Sequence, residues 1–552
     1  MDDPRVKVSV GETLGTYVSE IPDGAVLAIS GFNMATTPEF LIKGLYERYR
    51  GTGHPKSLFV ETDALPASPE RGLDAVYSDM YKNNDFDFIR GLLIPFLGFS
   101  PWMQKATLEN RVAVYGWPIG VTVYWFREIA SGRPGLLSRI GIDTFLDPRR
   151  DGGALNPKAS VAAECRVRLM EIDSKEYLLF QAPKPDYAFI RATSSDSSGN
   201  LTMEDEGIRG TVLNIAQAVK AIPCRGKVIA QVKRIVENGV MNPRQVEVPF
   251  PLVDEVVVSP SKYHWQSSSF EYDPRATLKL QGDVIPGSVY RRLEDGRSPA
   301  QEIIARKVLV DLVQIYSQRA RPLLVNLGVG IPAAISGMLE GNSLSSRIIT
   351  VVESGPWGGL ALPGVDFGVS LGAFALSTIP DMFSNYEGGI IDSAVLGFLQ
   401  IDSHGNVNSS YLPTKLTGPG GFPVIAGGAP RTYFAGAFTA GKSSIDISTG
   451  ELKIREDGKT VKFVKDVQKV FFSGSEALKN GREIIYVTER AFFSLSADGI
   501  LLTEIAPGVD LEKDILGRME FKPKISGEPK EYDRRLFTDR WKEMIMERLS
   551  TR

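Results

Sequence analysis

Short apolar runs rich in Val, Ile and Leu recur along the chain without polar alternation, the pattern of strands buried on both faces. Between them lie segments with apolar positions at helical spacing. The chain therefore reads as α/β, with mostly parallel sheets covered by helices. Residues 25–45, AVLAISGFNMATTPEFLIKGL, predict a strand, a glycine loop and a helix. Thr37 is placed to cap that helix and Pro38 to open it, where its missing N–H costs nothing. Residues 322–339, PLLVNLGVGIPAAISGML, repeat the order, with Gly328 and Gly330 in the turn and Pro332 opening the helix. This single echo is not a short-period repeat, so it argues against a solenoid and for two related open α/β domains. Their boundary is expected within the polar segment 267–297, giving domains at 1–280 and 281–552. The next helix starts at Ser298-Pro299-Ala300-Gln301, a capping box with proline in the first turn. Asp457-Gly458, between two alternating runs, predicts a β-hairpin turn. Phe537, Trp541, Ile545 and Leu549 share one face of a final amphipathic helix, which packs on the body or on a partner chain.

One run ends unusually. Residues 347–352, Arg-Ile-Ile-Thr-Val-Val, lead into a bare carboxylate, Glu353, and then Ser-Gly-Pro-Trp-Gly-Gly. Such a glutamate is either a salt-bridged charge at a strand end or a group delivered to a site, since ligands of open α/β sheets bind beyond the carboxyl ends of strands. Gly355, Gly358 and Gly359 would let backbone or substrate approach closely. A second cluster, TGPGGFP at 417–423, could aim N–H donors at a developing oxyanion. Neither glycine loop contains GxGxxG or GxxxxGK[ST], so a dehydrogenase or nucleotide-binding reading ranks last.

Composition narrows the classes. At 552 residues the chain exceeds what one core usually serves, which fits two large domains. Acidic and basic residues nearly balance, 66 against 63, with no basic stripe interleaved with aromatics, so no nucleic-acid partner is expected. Cys165 and Cys224 cannot build a disulfide framework and fit a reducing cytoplasm. His54, His264 and His404 match no metal-ligand spacing, so no metal is expected. The N-terminus lacks the basic start and apolar stretch of a signal peptide, and no apolar run is long enough to span a membrane.

Several segments, in order, resemble family I coenzyme A transferases. TVVESGPWGG is similar to their catalytic glutamate segment, SGFNMATTPEFLIKGL to the first glycine loop of their α-subunit part, and VNLGVGIPAAI to the loop opening their β-subunit part. GNVNSSYLPTKLTGPGGF and YVTERAFFSLSADGILLTEIAPGVDLEKDIL resemble two further blocks of that family. SGRPGLLSRIGIDTFLDPRRDGGALN resembles the fused subgroup that includes propionate and acetate CoA-transferases. The resemblance spans essentially the whole chain, and an α-then-β fusion would account for the internal echo.

The resemblance implies two fused CoA transferase-like α/β domains, the second carrying the catalytic glutamate. It assigns Glu353 as the nucleophile that forms an acyl anhydride and then a glutamyl-CoA thioester, with ping-pong exchange between acyl-CoA and free carboxylic acids. Glu353 must be ionised, which at the ordinary carboxyl pKa of about 4.3 needs no tuning at neutral pH. Gly420 and Gly421 are the candidates for the oxyanion or CoA-contacting backbone, Gly328 and Gly330 for the CoA side, and Gly31 for the opposite face of the cleft. Coenzyme A is implied as co-substrate, with no permanently bound cofactor, in a cytoplasmic homo-oligomer, dimer or tetramer. Two departures stand out. Ile119 replaces a glutamine of the relatives, which places it in the acyl pocket, and residues 94–102 replace a GGHWG-like segment. An acyl-CoA hydrolase, in which water intercepts the intermediate, is the near alternative, and a non-catalytic acyl-CoA binding protein the more distant one.

Overall fold

The computed structural model describes residues 7–10, 18–221, 226–277, 297–447 and 450–550. Cys224 and the expected junction at 280/281 lie outside the described residues. Two large sheets carry the fold. The first has eight strands in the order Lys7–Val10, Glu255–Val258, Lys227–Val232, Tyr187–Arg191, Val26–Ile29, Leu58–Thr62, Ile89–Leu93 and Ala113–Tyr115. Every neighbouring pair is parallel. The second has ten, in the order Ala375–Leu376, Pro356–Trp357, Ile348–Val351, Leu323–Leu327, Ser393–Leu396, Arg431–Ala435, Glu483–Val487, Ala491–Ser496, Gly499–Ile505 and Lys524–Glu531. Its centre, from Ile348–Val351 to Glu483–Val487, is parallel, and antiparallel strands flank it on both sides.

The internal echo has a topological counterpart. Val26–Ile29 lies between Leu58–Thr62 and Tyr187–Arg191, and Leu323–Leu327 lies between Ile348–Val351 and Ser393–Leu396. Each opens its half as a central strand and feeds a helix, Glu39–Thr52 or Ile331–Gly341. Strands such as Lys227–Val232 bury both faces against helices, which is why they read as continuous apolar runs.

Local expectations fared unevenly. The capping box is present: the Ser298 hydroxyl accepts the Gln301 N–H at 3.3 Å and the Gln301 side chain accepts the Ser298 N–H at 2.9 Å. Thr37 does not cap its helix, because Pro38 occupies the cap position and the Thr37 hydroxyl donates instead to the Asn33 carbonyl at 2.5 Å. Asp457-Gly458 does not turn a hairpin either. Residues 439–446 and 453–461 run antiparallel as one long arm, and the pair interrupts its second strand. The Asp457 carboxylate is taken by the buried Arg490 and by Arg518, so an ion pair holds the residue where turn propensity predicted a reversal. The final helix, Trp541–Ser550, packs Trp541, Met544 and Ile545 on the body beside Pro299–Ser317, with the Arg306 guanidinium 5.5 Å from the Trp541 ring. Among the described residues, no helix is long and apolar enough to cross a membrane.

Candidate active site

The two sheets point the carboxyl ends of four adjacent strands each into one cavity of about 670 Å³. That volume lies within the range of small-molecule and cofactor sites. From the first half come Phe32 and Asn33, Ala64 and Leu65, Phe96 to Phe99, and Ile119, each just past a strand. From the second come Glu353, then Asn326 to Ile331, Leu396 to Leu399, and Ala435 to Ala437. The site is thus built on backbone positions that eight strand ends hold rigid.

Cross-connections close it. The Leu97 N–H donates to the Thr417 carbonyl at 2.8 Å, the Gly420 N–H to the Pro95 carbonyl at 2.8 Å, and the Ile119 N–H to the Gly420 carbonyl at 2.9 Å. Segment 94–102 therefore joins the halves, and it brings Phe96 and Phe99 into the cavity as an edge-on pair with centroids 5.4 Å apart.

Glu353 sits at the top of a tight turn. The Gly355 N–H returns to the Val352 carbonyl at 2.9 Å, and the Val352 N–H reaches the Pro356 carbonyl at 3.0 Å. A side chain at Gly355 would lie 2.2 Å from the Ser377 carbonyl, so this glycine admits backbone, not substrate. The Glu353 carboxylate faces the cavity, and among the described residues no cation or hydrogen-bond donor meets it. Burial alone lifts its pKa from 4.5 to about 8. This corrects the expectation of an untuned carboxylate: the group is half-buried in the cavity wall, with no cation beside it to stabilise its charge. It also removes the salt-bridged strand-end reading.

Gly421 packs directly on that carboxylate, where an added Cβ would fall 1.9 Å from Oε2. The two candidate donors now separate. The Gly420 N–H is already bonded to Pro95, whereas the Gly421 N–H has no acceptor among the described residues. Gly328 and Gly330 both line the cavity; the Gly328 N–H is spent on the Val395 carbonyl at 2.9 Å. Ile119, buried, lines it too. Gly31 does not. Its N–H is bonded to Asp63 at 2.8 Å and a Cβ there would strike Thr37 and Pro66, so it closes a turn behind Phe32 and Asn33.

Two polar residues of the cavity were missed in the sequence. Asn326, 2% exposed, accepts the Tyr386 hydroxyl at 2.8 Å through Oδ1, while its Nδ2 has no partner among the described residues. It lies two residues before Gly328, and its place in a buried apolar strand was the available signal. Lys462 is buried in the wall, and only its position in an exposed-looking charged run was legible.

A coenzyme A transferase family profile matches residues 12–259. Over 94% of the chain and 96% of its counterpart, the sequence is 36% identical to a caffeate CoA-transferase of Acetobacterium woodii. The chain belongs to the coenzyme A transferase family. It is likewise 36% identical to the acetate CoA-transferase YdiF of Escherichia coli O157:H7, over 95% of this chain and 94% of that one. The crystal structure of the apo form of that acyl-CoA transferase superposes with a TM-score of 0.85 and 33% identity, covering 98% of each chain. Its thioester complex with CoA matches at the same TM-score. The fused α/β architecture is thus that of a CoA-transferase along the whole chain.

Proposed function

We propose that this CoA-transferase moves CoA between carboxylic acids through a covalent thioester on Glu353. The Glu353 carboxylate attacks the acyl-CoA carbonyl carbon, its C–S bond breaks, and an acyl-glutamyl anhydride and CoA thiolate form. The thiolate attacks the Glu353 carbonyl, giving a glutamyl-CoA thioester and releasing the first acid as its carboxylate. An acceptor carboxylate then runs both steps in reverse and leaves as the new acyl-CoA. The carrying observation is the lone cavity-facing carboxylate with an uncommitted Gly421 N–H at its side. A half-buried carboxylate without a cation beside it is less stabilised, and so more nucleophilic, than a fully solvated one, while the Gly421 N–H and the free amide of Asn326 are placed for developing oxyanion charge.

The first-half wall sets the acyl preference in this reading. Phe32, Leu65, Phe96, Phe99 and Ile119 offer an apolar surface, which favours acyl groups larger or more apolar than acetyl. Kinship to both acetate and caffeate transferases is compatible with such a pocket. The same reading takes Gly328 and Gly330 as the CoA side of the cavity, residues 1–280 and 281–552 as the α- and β-like domains, CoA as co-substrate without a resident cofactor, and a cytoplasmic homo-oligomer.

The test is incubation with an acyl-CoA panel, with and without acceptor acids, followed by peptide mass analysis. CoA mass on the Glu353 peptide and acceptor-dependent turnover are expected. Turnover that ignores the acceptor and leaves free acid would make the enzyme a hydrolase; a label elsewhere would displace Glu353.

A further inference from the structure

Lys462 presents an unpaired charge to the catalytic cavity. Its side chain is buried, yet among the described residues no carboxylate forms an ion pair with it. Nζ donates to the Ala437 carbonyl at 3.1 Å and lies 3.8 Å from the centre of the Phe398 ring. An ammonium has three N–H donors, so one protein acceptor among the described residues leaves capacity for a ligand. The acid whose field reaches it, Glu489, is already engaged by the Phe438 N–H and by Arg490. The other charged groups of the cavity are Glu353 and, at the rim, Lys415. Burying a cation without an anion is costly, and here that cost sits in a ligand cavity.

Its position along the cavity is set by the sheet. Glu353 follows Ile348–Val351, and Lys462 meets the end of Arg431–Ala435, three strands away. At about 4.8 Å per strand, the two strand ends lie roughly 14 Å apart, and the side chains they carry are separated by a distance of that order. The pantetheine arm of CoA runs about thirteen bonds from sulfur to the first phosphorus, or about 16 Å extended at roughly 1.2 Å per bond. Pantetheine itself is neutral; the first negative charge along CoA is the diphosphate. Charge and distance agree.

We propose that Lys462 anchors the diphosphate of the CoA thioester whose sulfur end is at Glu353. The inference rests on the Glu353 reading above, and Lys462 acts by positioning, not by touching the reacting atoms. Burial holds the free amine near a pKa of about 7. A bound diphosphate raises it, so CoA binding above neutral pH takes up a proton.

The experiment compares wild type, Lys462→Met and Lys462→Arg with propionyl-CoA and with propionyl-pantetheine, which lacks the diphosphate. Lys462→Met is expected to raise the half-saturating concentration of propionyl-CoA roughly 10- to 100-fold, the worth of a charge-assisted contact. The effect on propionyl-pantetheine should be absent, and Lys462→Arg should recover part of the loss. An equal effect on both thioesters, or none on propionyl-CoA, overturns the assignment. Titrating CoA into the Glu353→Gln protein in buffers of different ionisation enthalpy removes the Glu353 proton from the balance. Proton uptake there that disappears on adding Lys462→Met supports the pairing, and uptake unaffected by that change overturns it. Failure of wild type to form any CoA adduct at Glu353 would instead strike the underlying mechanism.

Discussion

Replacing Glu353 with glutamine separates its chemistry from its cost to the fold. The amide is nearly isosteric but cannot serve as the carboxylate nucleophile, so turnover should vanish. Stability should rise. The unfolded carboxyl ionises near 4.5, the folded one near 8, so between these values the folded state holds a proton the unfolded chain has lost. Stability therefore falls as pH rises through that window and is unpenalised below it. Integrated to neutral pH, the difference has an upper limit of about 3 kcal/mol; allowing for water in the cavity, about 1–3 kcal/mol is expected. Glutamine does not titrate, so the variant's advantage should be small near about pH 5 and grow toward about pH 8. Denaturant midpoints across that range measure it, read as paired differences because a chain this size need not unfold in two states. Residual turnover by pure, undeamidated variant would refute the nucleophile; a variant no more stable than wild type near about pH 8 would refute the isolated, desolvated carboxyl.

Because the attacking group must be ionised, kcat/KM for an acyl-pantetheine, which makes no call on Lys462, should climb with pH and level off above about 8. For acyl-CoA the rise should give way to a fall at higher pH as free Lys462, with its pKa of about 7, loses its proton; a profile flat from acid to neutral pH would contradict the raised Glu353 pKa. Gly421→Ala should fold but lose most activity, since its Cβ would fall 1.9 Å from the Glu353 oxygen; the readout is turnover alongside an unchanged circular dichroism spectrum. Ile119→Gln should move the kcat/KM ratio toward acetyl-CoA and away from longer or branched acyl-CoAs by roughly tenfold, the worth of an apolar contact of about 1–3 kcal/mol. An unchanged ratio would take residue 119 out of the acyl pocket.

The architecture was legible where one physical signal acted alone. Short, β-branched apolar runs such as 348–352 read as buried strands, and the Ser298 capping box is a local interaction that needs no tertiary context. Legibility failed where a distant partner overrode a local preference. Thr37 has good capping chemistry, but its hydroxyl finds the Asn33 carbonyl. Asp457-Gly458 has good turn chemistry, but Arg490, in the bend between Glu483–Val487 and Ala491–Ser496, claims the carboxylate and keeps the chain extended around it.

The same distinction governs the site. Glu353 was visible because a bare carboxylate at the end of a buried strand conflicts with its surroundings, and such conflicts gather at functional positions. Whether its charge was paired was invisible, because that depends on what other loops fail to bring. Gly420 and Gly421 are chemically identical in sequence; only the Pro95 carbonyl, supplied by the other half of the chain, occupies one N–H and leaves the other. Lys462 is the extreme case. In sequence it is one lysine in a charged run, and its isolation arises because Glu489, the acid that would neutralise it, is held by Arg490 and the Phe438 backbone. A buried cation and a half-buried carboxylate that share a cavity and yet do not pair leave both charges to a third party, and a molecule with an electrophilic carbonyl at one end and a diphosphate at the other meets both demands.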